Sequence, residues 1–131
     1  MTPEVVLHTH LLADPSVAGI VGTRIYPKEL PQTATLPALS YHVVFARGTY
    51  SYTGPSTLVR ARVQMDAWAN TYAQAVSLTE AVRRALVPFS NETVQGAFCT
   101  STFDVPEPVP NVHHRAADYL VCFNQPITQE E

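Results

Sequence analysis

The chain has 131 residues, of which 46% are hydrophobic and 15% are charged, and its formal net charge is −3. This length predicts one domain over residues 1–131, with a flexible tail at 124–131. The sequence has no lysine- or arginine-rich block, which argues against nucleic acid as a ligand, and no apolar run that could span a bilayer. Without a signal peptide pattern we expect synthesis and use in the cytoplasm. The low charge content indicates a surface partly covered by a partner or by further copies.

Two short helices are predicted at the start of the chain. Thr2-Pro3 and Asp14-Pro15 each place a capping side chain before a proline at the first helical position, and Gly22 is suited to end the second helix. His8 and His10 lie in the first helix. Because two positions on a helix differ by about 200° in direction, these histidines cannot share one metal ion.

The next predicted elements are extended. Residues 24–27 form a brief extended piece, and Leu39–Phe45 alternates as a strand after an irregular crossing at 28–37. Residues 46–57 have few aliphatic anchors, which predicts a long loop that is mobile in the free protein and makes contacts through Tyr50 and Tyr52. A phosphate-binding loop is excluded because the required glycine spacing and a following Lys-Ser/Thr are lacking.

The stretch Leu58–Leu86 carries the clearest structural signal. Side chains alternate from residue 59 to 67, which predicts a strand with one buried face. The buried set is Val59, Ala61, Val63, Met65 and Ala67, and the outward set is Arg60, Arg62, Gln64 and Asp66. From Thr71 the period becomes helical, and Thr71 with Gln74 fits a capping box. A strand leading directly into an amphipathic helix is therefore predicted, with Val63 and Met65 facing that helix.

The last third of the sequence predicts two further strands. Residues 93–105 form the first, with Val94, Phe98 and Thr102 on one face. Tyr119–Phe123 forms the second, and its apolar run suits a central position. Three prolines at residues 106–110 make a stiff connector that is unable to pair inside a sheet. The order ααββαββ predicts an α+β fold, an antiparallel sheet of about four strands with helices packed on one face.

The sequence predicts no catalytic residue, no cofactor and no metal site, and we expect a protein that is not an enzyme. A G-x-S-x-G motif is lacking, and Cys99 and Cys122 fit reduced core thiols. Asp66 could pair with a histidine in space, but it follows two arginines on its strand, so a surface ion pair is its expected use. His113-His114 lack a third ligand at metal spacing and are expected in a loop.

Four segments carry a resemblance to a known family. They are L-L-A-D-x-x-V-A-x-I-V-G-x-R-I-Y at Leu11–Tyr26, L-P-A-L-x-Y at Leu36–Tyr41, R-x-Q-x-D-A-W-A-x-T-Y-x-x-A at Arg62–Ala75, and the pattern of Arg115–Phe123. Together they cover nearly the whole chain. They resemble the tail completion proteins, also called tail terminator or tail-to-head joining proteins, of long-tailed bacteriophages and phage-derived particles.

The resemblance implies an assembly role. Members of the family are α+β subunits that form a ring, typically a hexamer, which caps the tail tube and joins it to the neck proteins. The implied partners are further copies of this chain, the tail tube protein and a neck protein, without a membrane or sequence-specific nucleic acid. The implied location is the head-proximal end of the tail in the virion. The candidate assembly interface is Arg47, Tyr50, Tyr52, Arg60 and Arg62.

Other classes of function stay open at this point. The chain could be a different head–tail connector or neck component, or a small cytoplasmic module that binds a small molecule or a peptide. A hydrolase that uses Asp66 or the paired histidines is a third class. A ring of several copies under native conditions would favour the assembly role over the binding module and the hydrolase.

Overall fold

The computed structural model describes residues 3–51 and 54–124. Its helices and strands, in chain order, are α1 (Pro3–Ala13), α2 (Pro15–Val21), β1 (Ile25–Pro27), β2 (Ala38–Ser51), β3 (Gly54–Ala69), α3 (Tyr72–Leu86), β4 (Val94–Val105) and β5 (His113–Asn124). The strands form one sheet in the order β1-β2-β3-β5-β4. The predicted α+β fold is confirmed.

The sheet has one strand more than the four predicted. The additional strand is β1, the brief extended piece at residues 24–27, which lies beside the start of β2 through the pairs Ile25↔Leu39 and Pro27↔Tyr41. Because β1 runs parallel to β2 while the other pairs are antiparallel, the sheet is mixed. A run of three residues is too short for alternation to predict its pairing.

The predicted helix boundaries at α2 and α3 are confirmed by their caps. The Asp14 carboxylate accepts hydrogen bonds from the backbone N–H of Ser16 at 2.9 Å and of Val17 at 3.1 Å. Gly22 ends α2 with a φ of 62°, a conformation that glycine adopts at little cost. At α3 the Thr71 hydroxyl accepts from the Gln74 N–H at 3.2 Å, which satisfies one of the free donors at the helix start.

The core lies between the sheet and α3. Ala61, Val63, Met65 and Ala67 are each 2% exposed, as the alternation of this strand predicts. The facing apolar stripe of α3 contributes Leu78, Val82 and Leu86, which are also buried. The prediction that Val63 and Met65 face the helix is confirmed. The same face of β5 adds Tyr119, Val121 and Phe123.

The two histidines of α1 fasten this helix to the rest of the domain. His8 Nδ1 lies 2.8 Å from the Tyr41 hydroxyl on β2. His10 Nε2 donates to the Ala85 carbonyl at 2.8 Å, and its ring stacks on Phe89 at 3.8 Å. Their use is therefore structural.

In the part of the chain that the structure describes, the longest helix has 15 residues, and none of the helices could cross a membrane.

The described residues of the predicted loop, 46–51 and 54–57, instead belong to the two strands of a long β-hairpin. β2 continues to Ser51 and β3 begins at Gly54, with the pairs Gly48↔Val59, Tyr50↔Pro55 and Ser51↔Gly54. Tyr52 lies outside the described residues. The loop prediction was wrong because the segment lacks the aliphatic side chains by which strands are detected. Threonine and tyrosine nevertheless favour extended backbone.

The second half of the sheet also differs from the prediction in detail. β5 begins at His113 rather than at Tyr119, so that the paired histidines lie in a strand and not in a loop. β4 contains two register irregularities, between Val94 and Gly96 and between Cys99 and Ser101. Such bulges reverse the alternation, and Val94 and Phe98 therefore lie on opposite faces instead of sharing one. Asn124 is the last residue of β5, and the rest of the predicted tail, residues 125–131, lies outside the described residues.

Candidate assembly interface

The helices cover one face of the sheet, and the opposite face, here called the open face, carries exposed aromatic side chains. Phe45, Arg62, Leu120 and Phe98 are direct neighbours in one row across four strands. Phe45, Phe98 and Phe103 are 43%, 57% and 41% exposed. Because monomeric proteins rarely expose several large apolar side chains on one surface, this face has the properties of an interaction surface.

The composition of β5 gives independent support for this interpretation. An antiparallel strand with one solvated face alternates apolar and polar residues, whereas a strand covered on both faces is apolar throughout. On β5, Val121 and Phe123 face the helices, while Leu120 and Cys122 lie half-buried on the open face. This central strand therefore has the pattern of a strand that is covered on both faces. The helices cover only one of its faces, and the open face is the other.

An ion pair between a half-exposed arginine and a buried carboxylate lies in the middle of the open face. Arg62 donates through Nη2 to the carboxylate of Asp118, which is almost fully buried and also accepts from the Ser101 hydroxyl at 3.3 Å. Removing the guanidinium would leave a buried carboxylate without its cation. Arg62, predicted as an outward side chain of the interface, is therefore also a structural residue.

A second polar cluster lies at the end of the sheet where β3 ends and β5 begins. His114 stacks on Trp68 at 3.8 Å, and its two ring nitrogens lie 2.8 Å from Asp66 and 2.9 Å from Glu107. Asp66 also accepts from Gln64 Nε2 at 2.9 Å. Burial alone would lower the pKa of His114, but hydrogen bonds to both carboxylates and their charges outweigh it and raise this pKa. The prediction of a surface ion pair for Asp66 was wrong, because this carboxylate is buried and contacts His114 instead of an arginine.

A depression of about 310 Å³ adjoins this cluster, beneath the proline-rich connector. Its lining includes Tyr72 from α3, Asp104 from β4, Glu107 from the connector and His113 from β5. Arg115 Nη1 donates to Asp104 at 2.9 Å and to the Tyr72 hydroxyl at 3.3 Å. Asp66, Asp104, Glu107, His114 and Arg115 are called the end cluster below. It brings together three carboxylates and two cationic groups.

The β2–β3 hairpin projects at the opposite end of the sheet. The described part of this hairpin at residues 46–51 and 54–60 is called the hairpin arm below. Its outer pairs, Tyr50↔Pro55 and Ser51↔Gly54, lie beyond Leu58, which pairs with Asn124 at the end of β5. Arg47 and Arg60 lie directly opposite each other on the arm, both exposed, and the Arg47 guanidinium lies 5.4 Å from the Phe45 ring centre. The sequence has no aspartate or glutamate between residues 30 and 65. The arm is therefore basic within an acidic chain.

Of the five predicted interface residues, three lie on the open face. These three are the arginines Arg47, Arg60 and Arg62, which are neighbours on β2 and β3. Tyr50 is a residue of β2, and Tyr52 lies outside the described residues. The sequence analysis did not identify Phe98 and Phe103, because the bulges of β4 hide their common face. It also did not identify Asp118 and His114, whose partners are distant in sequence. The apolar run of β5 was the feature of the sequence that could have indicated an apolar open face.

The charged side chains of these clusters form ion pairs with one another. In residues 3–51 and 54–124, no group of three or more histidine, cysteine, aspartate or glutamate side chains is placed to hold a metal ion. In the end cluster, both ring nitrogens of His114 are already in contact with carboxylates. In the described part of the chain no hydroxyl or thiol forms a hydrogen bond with His114. The fold and the open face define a small α+β domain that associates with other proteins.

Comparison with known proteins identifies the family. The chain matches the model of the family described as tail completion protein gp17 over residues 5–123 and belongs to this family. It is therefore a structural protein of phage-like tails, as its resemblance predicts. A chain of a solved structure titled "Virion of native gene transfer agent (GTA) particle" has the same fold, with a TM-score of 0.72 and 16% identity over 94% of this chain and 95% of that chain. No individual curated protein shows significant similarity.

Proposed function

We propose that this protein is the subunit of a ring that caps the tail tube of a phage-like particle and joins it to the neck. Membership of the tail completion family supports the position at the tail. The open face is the observation that carries the proposal, because its exposed phenylalanines need a protein partner in the particle. Further copies of the chain, the tail tube protein and a neck protein are the proposed partners.

A ring fits the physics of such a subunit. Its two ends differ, since the hairpin arm is at one end of the sheet and the end cluster is at the other. A contact between two different surfaces of neighbouring copies is head-to-tail, and it closes into a ring when the rotation per subunit divides a full turn. Repeating a weak contact around the axis then raises the overall affinity through effective concentration. The two faces of the ring differ and are therefore able to bind two different partners.

Deletion of the gene tests the proposal. We expect a lysate of the deletion strain to contain DNA-filled heads and separate tails of poorly controlled length, and the purified protein added to this lysate should restore joined particles. Electron micrographs before and after the addition provide the measurement. Joined, infectious particles with normal tails in the deletion lysate would exclude the role. Empty heads would indicate a function at the portal instead.

A further inference from the structure

The hairpin arm carries two positive charges that the described part of the chain does not neutralise. Arg47 and Arg60 are directly opposite each other on paired strands, an arrangement that destabilises a hairpin when the charges are alike. Neither guanidinium has a carboxylate within ion-pair distance in residues 3–51 and 54–124. An external anionic group would relieve this repulsion.

The end cluster is rich in carboxylates. Three of them, from Asp66, Asp104 and Glu107, lie beside one arginine, Arg115, and two histidines, His114 and His42, the latter with Nδ1 3.7 Å from Asp66. Asp104 lies at the rim with 54% of its side chain exposed, and the exposed ring of Tyr72 lies beside it over the depression of about 310 Å³. An arginine guanidinium binds favourably beside a carboxylate and an aromatic ring, because the guanidinium forms an ionic contact with the carboxylate and a cation–π contact with the ring.

The two surfaces cannot meet within one chain. Arg60 precedes Ala67 by seven positions on β3, and Ala67 pairs with Arg115, the partner of Asp104. At the rise of an extended strand this separation is about 23 Å, several times the reach of an arginine side chain. The outer end of the arm also points away from the end cluster, since the pairs Tyr50↔Pro55 and Ser51↔Gly54 lie beyond Leu58, which pairs with the last residue of β5.

We propose that the hairpin arm of one copy docks on the end cluster of the next copy, with Arg47 and Arg60 beside Asp104 and the Tyr72 ring. The proposal rests on the proposed ring and names the contact between its subunits. The contact joins two different surfaces, so each copy offers one arm and receives one. It also places further positive charge beside these carboxylates and gives the two opposed arginines an anionic partner.

Charge reversal with rescue tests the contact in the deletion lysate described above. The variants are Arg47→Glu with Arg60→Glu (the arm variant), Asp104→Arg, and all three substitutions together. Lys28→Glu, an exposed basic residue outside the arm, is the matched control. We expect the arm variant and Asp104→Arg each to lower the yield of joined particles about tenfold or more. The combined variant should give a higher yield of joined particles than either of them, and the control should give the same yield as the wild-type protein.

Thermal unfolding of each purified variant shows that a lost yield is not a lost fold. Normal yield from the arm variant would overturn the contact and leave the ring intact. A combined variant no better than its parents would also overturn it. Binding of a short DNA duplex, lost in the arm variant in parallel with assembly, would assign the arm to nucleic acid instead. A wild-type protein that fails to restore joining would overturn both the contact and the proposed function.

Discussion

His114 has carboxylates at both ring nitrogens, Asp66 on one side and Glu107 on the other. Only the doubly protonated imidazolium donates to both, so that the geometry itself selects the charged form. A further titratable group at this site is His42, whose Nδ1 lies 3.7 Å from the second oxygen of Asp66. The sequence shows no difference between His114 and its neighbour His113, because the distinction arises from residues 48 and 7 positions away.

The raised pKa of His114 predicts a pH dependence of stability. Below the ordinary value of 6.5 the residue is protonated in both the folded and the unfolded protein, and its stabilisation is fully present. Above 6.5 the folded protein binds more protons than the unfolded one, so the free energy of unfolding falls as the pH rises through the raised pKa. Urea unfolding between about pH 6 and pH 9 should show this decline in the wild-type protein and not in His114→Gln.

The control for this experiment is His113→Gln, since the His113 ring contacts Tyr72 edge-on rather than a carboxylate. The control should keep the wild-type decline. An identical pH dependence in His114→Gln and in the wild-type protein would show that the imidazolium is not the source of the effect. Glu107→Gln should give an intermediate result, because one of the two carboxylates remains.

Arg60 and Arg62 have the same predicted orientation but different surroundings. Arg62 neutralises the buried Asp118, whereas Arg60 is exposed and has no such partner in the described part of the chain. Arg62→Met should therefore lower the free energy of unfolding by roughly 2–3 kcal/mol, and Arg60→Met should change it by less than about 0.5 kcal/mol. Urea unfolding of both variants is the measurement. Equal effects would contradict the assignment of Arg62 as a structural residue.

At the scale of elements, the β3–α3 unit was predictable because its signals are local. Alternation fixes the buried face of the strand, and the Thr71 cap fixes the start of the helix. The hairpin arm was not predictable from apolar alternation, because backbone pairing with the opposite strand holds it extended. The bulges of β4 were not predictable either, since they depend on its register with β5.

The buried face of β3 makes a direct prediction. Val63→Asp should prevent folding, because an unpaired carboxylate in the core costs several kcal/mol, against a total stability of about 5–15 kcal/mol. Val44→Asp is the matched control, since Val44 is a half-exposed valine of the neighbouring strand. Circular dichroism and heteronuclear NMR spectra of the two proteins should show a folded control and an unfolded Val63→Asp variant. A natively folded Val63→Asp protein would mean that the strand has another register.

At the scale of the whole molecule, the low charge content predicts a surface covered by a partner, and the open face is our candidate for this surface because of its exposed phenylalanines. The open face combines residues from β2, β4 and β5, such as Phe45, Phe103 and Leu120, which lie far apart in sequence. The outward orientation of Arg60 and Arg62 was predictable because these residues alternate along one strand. The phenylalanines were not, because their common face depends on the order of strands in the sheet and on two bulges.

The open face provides the last prediction. Phe98 and Val109 are almost equally exposed, at 57% and 58%, but Phe98 lies on the open face and Val109 on the proline-rich connector. Phe98→Asp and Val109→Asp should both keep the fold, with changes in unfolding free energy below about 1 kcal/mol. If the open face contacts a partner in the particle, Phe98→Asp should lower the yield of joined particles about tenfold, since it places a charge in an apolar contact. Val109→Asp should assemble as the wild-type protein does. Equal yields from both variants would mean that the open face stays uncovered in the assembled tail.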